Sequence, residues 1–345
     1  MISRVAESCF WLTRHLERLD TLARLLDVNH AFQLDLDLPQ AERWRPLVVV
    51  TGQEADFRTR IGDGRIDNGE AVQRYLAWDP ENVSSLFASV RGARENARTI
   101  RECMSVETWE VVNDLWIWIR SRSAQTLYAK SRSAFYAHLM RQCQLFHGIS
   151  HSAMLHEEPF VFMKLGRAVE RVGQSARILD VKHYSLGDKA SEQESTADAA
   201  QWLAILRCCC AFDPFFQRPA NTLSGPSVLS FLLFDRAFPH SVLHGLDQTC
   251  ELLAQMRRTD PPGVRRRSWR LADRFRGELL QMCNQDVQQI GVHTVLTNIV
   301  DRTTALCTAI REDYLDPPED ELRRLARVLE PMQRAAVATG SATAA

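Results

Sequence analysis

The 345-residue sequence lacks long hydrophobic runs, and its longest apolar stretches, such as residues 229–234, are too short to cross a bilayer. The amino terminus has charges throughout and no apolar core of about 7–15 residues, which argues against a signal peptide. The nine cysteines include no C-x-x-C pair, so we interpret them as buried residues in a reducing cytoplasm. A net charge of −1 argues against a general nucleic-acid or membrane-surface binder. We therefore expect a soluble cytoplasmic protein.

Several catalytic and cofactor motifs are also missing. The sequence has no phosphate loop of the G-x-x-x-x-G-K type, no dinucleotide-binding G-x-G-x-x-G after a strand and no serine-hydrolase elbow. His147 and His151 are four residues apart, but no glutamate lies between them as a hydrolytic zinc helix requires. The sequence thus predicts neither a bound cofactor nor a metal site, and no catalytic machinery sufficient by itself.

Helical periodicity runs through most of the chain, whereas the alternating pattern of strands is almost absent. From Val5 to Leu26 the apolar residues recur at steps of four and three, which places them on one face of a helix. Residues 47–51 form the one β-branched run, too short to build a sheet around. Asn82, Ser105 and Ser224 are candidate helix caps. These patterns predict an all-α protein, with further helices at about 82–102, 106–122, 133–155, 160–183, 238–257, 268–290 and 292–315.

The sequence also contains an internal similarity. Residues 12–28 match residues 165–181 at nine of seventeen positions, with an offset of 153. Residues 75–79 match residues 231–235 at an offset of 156, and Trp44 and Trp202 open comparable stretches. We infer a helical bundle built from two diverged tandem copies of a unit of roughly 150 residues. The predicted halves are residues 1–156 and 157–334, followed by a disordered tail at 335–345.

Each copy begins with a helix that carries a ladder of charged residues, because positions three, four and seven apart share a helix face. The two ladders are expected to face each other. Their glutamates and arginines either form buried ion pairs that set how the helices cross, or line a pocket. In such a pocket, arginines would hold a carboxylate or phosphate while a glutamate orients an amine or a metal ion. The candidate binding residues are Arg14, Glu17, Arg18, Arg24, Asp27, Arg167, Glu170, Arg171, Arg177 and Asp180.

Two further features refine this set. The second ladder has Gly173 where the first copy has Asp20, so one copy has the shorter polar set. A separate polar helix face provides the secondary candidates Arg94, Glu95, Asn96 and Arg98, although such a face is typical of a solvated helix.

An ordered set of motifs resembles the bacterial Alpha-E family, which is named for an α-helical domain with a conserved E-R motif. The set comprises SRVAE at residues 3–7, LER at 16–18, AR at 23–24, LDV at 26–28, ARENAR at 93–98, Trp109–Glu110 with Asn113, the second E-R pair at 170–171 and FLLFD at 231–235. The resemblance covers nearly the whole chain, and its specificity comes from the order of the motifs. The sequence departs from the family pattern at Trp11 and Cys208–Cys210.

The resemblance implies a functional context. Alpha-E proteins are typically encoded beside, or fused to, a circularly permuted ATP-grasp protein, often with a transglutaminase-like peptidase nearby. ATP-grasp enzymes activate a carboxylate as an acyl-phosphate and transfer it to an amine. The resemblance therefore implies an accessory subunit of a peptide or amino-acid amide-ligation system, with E-R helices that bind the ligase or a carboxylate-bearing acceptor. The alternatives are an enzyme that uses Glu17 or Glu170 as general base, and a pure scaffold.

Overall fold

A computed structural model describes residues 3–35, 40–186, 196–258 and 266–316. Every regular element within these ranges is helical, which confirms the all-α class. The polar composition of residues 185–199 also predicts a mobile segment. Its residues 185–186 end α9 and 196–199 begin α10, whereas 187–195 lie outside the described residues, as does the predicted tail at 335–345. The α-helices are α1 Ser3–Asp35, α2 Gln40–Val50, α3 Glu54–Arg60, α4 Gly69–Trp78, α5 Leu86–Thr99, α6 Val106–Ile119, α7 Arg122–Lys130, α8 Arg132–Ala153, α9 Glu158–Leu186, α10 Thr196–Cys208, α11 Phe212–Phe216, α12 Gly225–Phe234, α13 Val242–Arg257, α14 Arg267–Gln281, α15 Asn284–Ile290 and α16 Val292–Ile310.

Serine caps begin several of these helices. The hydroxyl of Ser105 accepts the backbone N–H of Thr108, which satisfies one of the donors that the first helical turn leaves free and confirms this predicted cap. Ser224 occupies the N-cap position of α12 as predicted, but its side chain makes no capping hydrogen bond. The predicted cap at Asn82 is wrong, because the cap of α5 is Ser85. Asn82 lies in the loop before α5 and donates its amide to the Tyr75 carbonyl of α4.

Two helix boundaries differ from the sequence expectation. The predicted helix at 268–290 is two helices, α14 and α15, because the chain turns at Met282 and Cys283. The β-branched run at residues 47–51 ends α2, where Leu47 and Val48 are buried against the rest of the core. Tertiary packing therefore outweighs the weak strand preference of valine in this segment.

The two long helices α1 and α9 lie at the centre of the core and pack against each other more extensively than any other described pair. Further layers surround them, since α5 and α8 cover α1 while α13, α16 and α2 cover α9. Gly166 permits the close approach, because a Cβ atom there would lie 2.2 Å from the carbonyl oxygen of Phe10. Thr13 reinforces the contact by donating its hydroxyl to the Met163 carbonyl at 2.6 Å. The charged ladders are thereby carried on two tightly packed helices.

Local contacts recur at the matched positions of the proposed halves. Asp79 accepts two hydrogen bonds from Arg60, and Asp235 likewise accepts two from Arg218. A Cβ atom at Gly69 would clash with the Trp44 ring, and one at Gly225 would press on the ring of Trp202. The predicted boundary at 156–157 falls in the turn between α8 and α9. These contacts support the duplication, which stays a prediction. Among the described residues, no helix combines the length and apolarity needed to span a membrane.

Candidate functional site: the paired E-R helices

The Glu17 carboxylate of α1 is held by two arginines of α9. Arg171 donates from Nε to Oε1 at 2.6 Å and from Nη2 to Oε2 at 3.0 Å, so the pair is bidentate. Arg167 donates its Nε to Oε2 at 3.3 Å. The side chain of Glu17 is only 2% exposed, so these guanidinium groups replace its hydration shell.

Glu170 of α9 repeats this arrangement in the opposite direction. Arg18 of α1 donates to both carboxylate oxygens, at 2.6 and 3.1 Å, and Arg14 donates its Nε to Oε2 at 2.7 Å. Gln174 adds an amide donor at 2.9 Å. The Glu170 side chain is 3% exposed. Each glutamate of an E-R motif is therefore bound by the arginines of the other motif, and the two helices are clamped reciprocally.

The electrostatics of the clamp keep both carboxyl groups ionised. Burial raises the pKa of Glu17, but the guanidinium groups of Arg171 and Arg167 outweigh this effect and hold that pKa well below its ordinary value. The same competition between burial and the arginines Arg18 and Arg14 lowers the pKa of Glu170. Both glutamates are thus weak bases at neutral pH.

Two histidines, His147 and His240, lie near Glu17, and neither is among the candidate binding residues predicted from the sequence. Burial and the charge of nearby arginines lower the pKa of His147 and of His240 to about 3. The Nε2 atom of His147 is buried and has no hydrogen-bond partner within the described part of the chain. In the sequence, His147 is four residues from His151 and His240 is four residues from His244, so spacing alone groups them in these pairs. Only the fold shows that they approach the clamp from α8 and from the loop before α13.

The other ladder residues have separate partners. Arg24 donates to Asp20 on its own helix at 2.9 Å, a pair that the ladder spacing did not predict. Asp27 accepts from the Ser133 hydroxyl, and Asp180 contacts His293 Nδ1 at 2.8 Å. Arg177 differs from all of these, because it makes no hydrogen bond and no ion pair with any described residue. The predicted ladder therefore divides into a reciprocal clamp, three flanking pairs and one arginine without a carboxylate partner.

The secondary candidates form a separate surface on α5. Arg94 and Arg98 bind the two oxygens of Glu95 at 2.7 and 2.8 Å, and Arg98 is 64% exposed. Asn96 donates its amide to the backbone carbonyl of Gly92. Arg94 is 24% exposed and packs over the Trp109 ring, so this set of local pairs is only partly solvated, and the structure does not bring it to the clamp.

Two cavities adjoin the Glu170 side of the clamp. The first, of about 280 Å³, lies between α1, α9 and α16, with Trp11 in its wall. The second, of about 160 Å³, lies between α1, α9 and the end of α2. Arg18, Glu170 and Arg177 line both cavities. In the described ranges, no group of three or more histidine, cysteine or acidic side chains is placed to hold a metal ion.

A larger groove of about 660 Å³ lies away from the clamp, beside α4 and α7. Trp78 and Tyr128 form part of its wall, and Arg132 stacks over the Tyr128 ring while pairing with Glu70 at 2.7 Å. Sequence reasoning missed this groove because its residues come from separate helices and form no spaced motif.

Comparison with known proteins identifies the class that these features define. The profile of the Alpha-E family, described as a predicted alpha-helical domain with a conserved ER motif, matches residues 1–315. The chain belongs to the Alpha-E family, as the sequence motifs predict. It is 24% identical over 349 residues to an uncharacterized protein of Mycobacterium bovis and, to the same extent, to an uncharacterized protein of Mycobacterium tuberculosis. Each match covers 89% of this chain but 37% of the relative. No solved structure matches the chain.

Proposed function

We propose that this chain is an accessory helical subunit of a cytoplasmic amide-ligation system that includes an ATP-grasp ligase. In this role it binds a carboxylate-bearing peptide or amino acid and does not turn over substrate alone. The observation that carries the proposal is the reciprocal clamp, in which four arginines occupy both motif glutamates. The E-R motifs, for which the family is named, therefore hold α1 and α9 together.

The clamp argues against the alternative in which Glu17 or Glu170 acts as general base. An effective general base needs a pKa near the working pH and a free oxygen within reach of the substrate proton. Burial and the paired arginines give each glutamate the opposite properties, a lowered pKa and occupied oxygens. A subunit that presents a ligand to another enzyme needs no such base.

The relatives support a partner for this domain. Since the matched region makes up 37% of each mycobacterial protein, most of each relative lies outside the part shared with this chain. A domain that recurs within longer chains is typical of one that works beside other domains. The ATP-grasp protein, and a transglutaminase-like peptidase as a second partner, follow from the family resemblance. A partner would dock on other surfaces, because the motif glutamates are buried in the core.

Affinity purification of the tagged chain from its native host tests this proposal. We expect mass spectrometry to recover an ATP-grasp protein in an amount comparable to the tagged chain. The same tag on an unrelated helical protein of the host is the control and should not enrich that ligase. Recovery of the chain alone, under gentle conditions and at native expression, would contradict the proposal.

A pure scaffold is the second candidate, and the same buried ion pairs favour it, because such pairs fix the geometry of helix bundles. The accessory subunit and the scaffold differ in whether the chain has a site for a ligand. An accessory subunit that presents a substrate has a site for it, whereas a scaffold needs none.

A further inference from the structure

The cleft between α1, α9 and α16 has an excess of positive charge. Four arginines line the 280 Å³ cavity there, and Glu170 is the one acidic residue in its lining. One of the four, Arg311, pairs with Asp316 at 3.0 Å. Arg14 and Arg18 use their shortest hydrogen bonds for the Glu170 carboxylate. The group formed by Arg14, Arg18, Arg177 and Glu170 therefore has two positive charges more than it has negative ones.

Arg177 is the member of this group without a counter-charge. It lies on α9 and lines both cavities, yet no described carboxylate is within ion-pair distance of it. Burial lowers the pKa of Arg177, Glu170 offsets this only in part, and Arg18 and Arg14 lower it further. Because a guanidinium remains protonated in proteins, the result is a charged donor that nothing in the described structure neutralises.

The other half of the molecule shows what is missing. There the equivalent arginine, Arg24, is neutralised by Asp20, with two hydrogen bonds of 2.9 and 3.1 Å. The position equivalent to Asp20 is Gly173 in the second ladder. A Cβ atom added at Gly173 would lie 3.1 Å from Nη1 of Arg177. Where the first ladder has a carboxylate, the second has a glycine, and the guanidinium of Arg177 lies directly beside it.

We propose that this cleft binds the oxyanion group, carboxylate or phosphate, of a small ligand, with Arg177 as its main donor. The planar guanidinium fork matches both groups in two-pronged geometry. The rings of Phe10 and Trp11 give the cleft an apolar wall. Threonines of α16 also line the cleft. Its volume of about 280 Å³ suits a group the size of one amino-acid residue, such as the last residue of a peptide.

The inference rests on the proposed function only in its choice of a peptide carboxylate as one probe. Titration calorimetry on the full chain compares inorganic phosphate, an N-acetylated dipeptide that ends in phenylalanine, and the amide of the same dipeptide. We expect one site per chain for phosphate or for the free dipeptide, and no binding of the amide. Binding of the dipeptide alone identifies a carboxylate site, and binding of phosphate alone identifies a phosphate site.

Two substitutions at one position provide the matched control. Gly173→Asp restores the missing carboxylate and should weaken binding by at least about tenfold, while Gly173→Asn has the same size without the charge and should weaken it by less than about threefold. Arg177→Gln should remove binding, with an unfolding transition unchanged in position. The absence of saturable binding by every probe would overturn the proposal, and so would equal binding by the aspartate and asparagine variants. Because the chain alone is titrated, these results are independent of whether a ligase is recovered from the host.

Discussion

Replacing Glu17 with glutamine is expected to lower the free energy of unfolding by about 3 kcal/mol, one of the largest effects of a single substitution in this chain. The change removes a negative charge but keeps the shape of the side chain. It leaves the guanidinium of Arg171, which is only 11% exposed, without a counter-charge, whereas Arg167 is 39% exposed and keeps contact with solvent. Denaturation in urea at pH 7.5, followed by circular dichroism, measures the loss directly.

The exposed pair on α5 supplies the control for this prediction. Glu95→Gln removes the same charge from a glutamate that is 45% exposed, and we expect a change within about 0.5 kcal/mol. A double-mutant cycle that combines Glu17→Gln with Arg171→Gln measures the interaction energy of this pair. Arg171→Gln should lower the free energy of unfolding much less once Glu17 has been replaced. A Glu17→Gln loss as small as that of Glu95→Gln would show that the clamp does not hold the helices.

Mild acid is expected to destabilise the fold well above the pH at which carboxylates titrate. Burial lowers the pKa of His147 and His240 to about 3 and that of His15 to about 4. An unfolded chain binds these protons near pH 6.5, so the unfolded state takes up more protons as the pH falls. From pH 7.5 to 5.5 each histidine removes about 1.4 kcal/mol, which amounts to about 4 kcal/mol for the three together.

The slope of unfolding free energy against pH checks this prediction. His240→Gln should reduce the slope between pH 7.5 and 5.5 by about a third, whatever its effect at neutral pH. His151→Gln alters an exposed ring and is the matched control. The paired glutamates cause a second decrease in the free energy of unfolding at lower pH. Their lowered pKa values stabilise the fold fully above about pH 4.5, and this contribution is lost at lower pH. A flat profile from pH 7.5 to 5.5 would contradict the burial of the histidines.

Helix formation and the faces of the helices could be predicted from the sequence, because both depend on local spacing. The steps of four and three from Val5 to Leu26 place Leu12 and Leu16 on a common face, and both are buried. The same spacing places Glu17 and Glu170 beside the apolar stripe. How deeply the two glutamates are buried depends on the distance between the helices. Gly166 permits a close approach, and the periodicity of the sequence does not report that distance.

The partners of the charged residues could not be predicted from spacing. The matched ladders predict that the two helices face each other, but the spacing does not say which arginine meets which glutamate. In the structure Arg14 binds Glu170 on the opposite helix. The histidines near Glu17 come from distant parts of the chain and meet the clamp only in the folded core. The contrast between Asp20 and Gly173 is visible in the sequence, but the free guanidinium that results from it appears only in the structure.

The proposed role as an accessory subunit is tested most directly by the rate of ADP release by the ATP-grasp partner with and without this chain. Purified ligase, ATP and an amino acid or peptide acceptor form the assay, and the chain alone with the same substrates is the control. We expect no turnover by the chain alone and at least about a tenfold rise in ligase turnover when the chain is added. Turnover by the chain without the ligase would contradict the proposed role, and so would a ligase rate that the chain leaves unchanged.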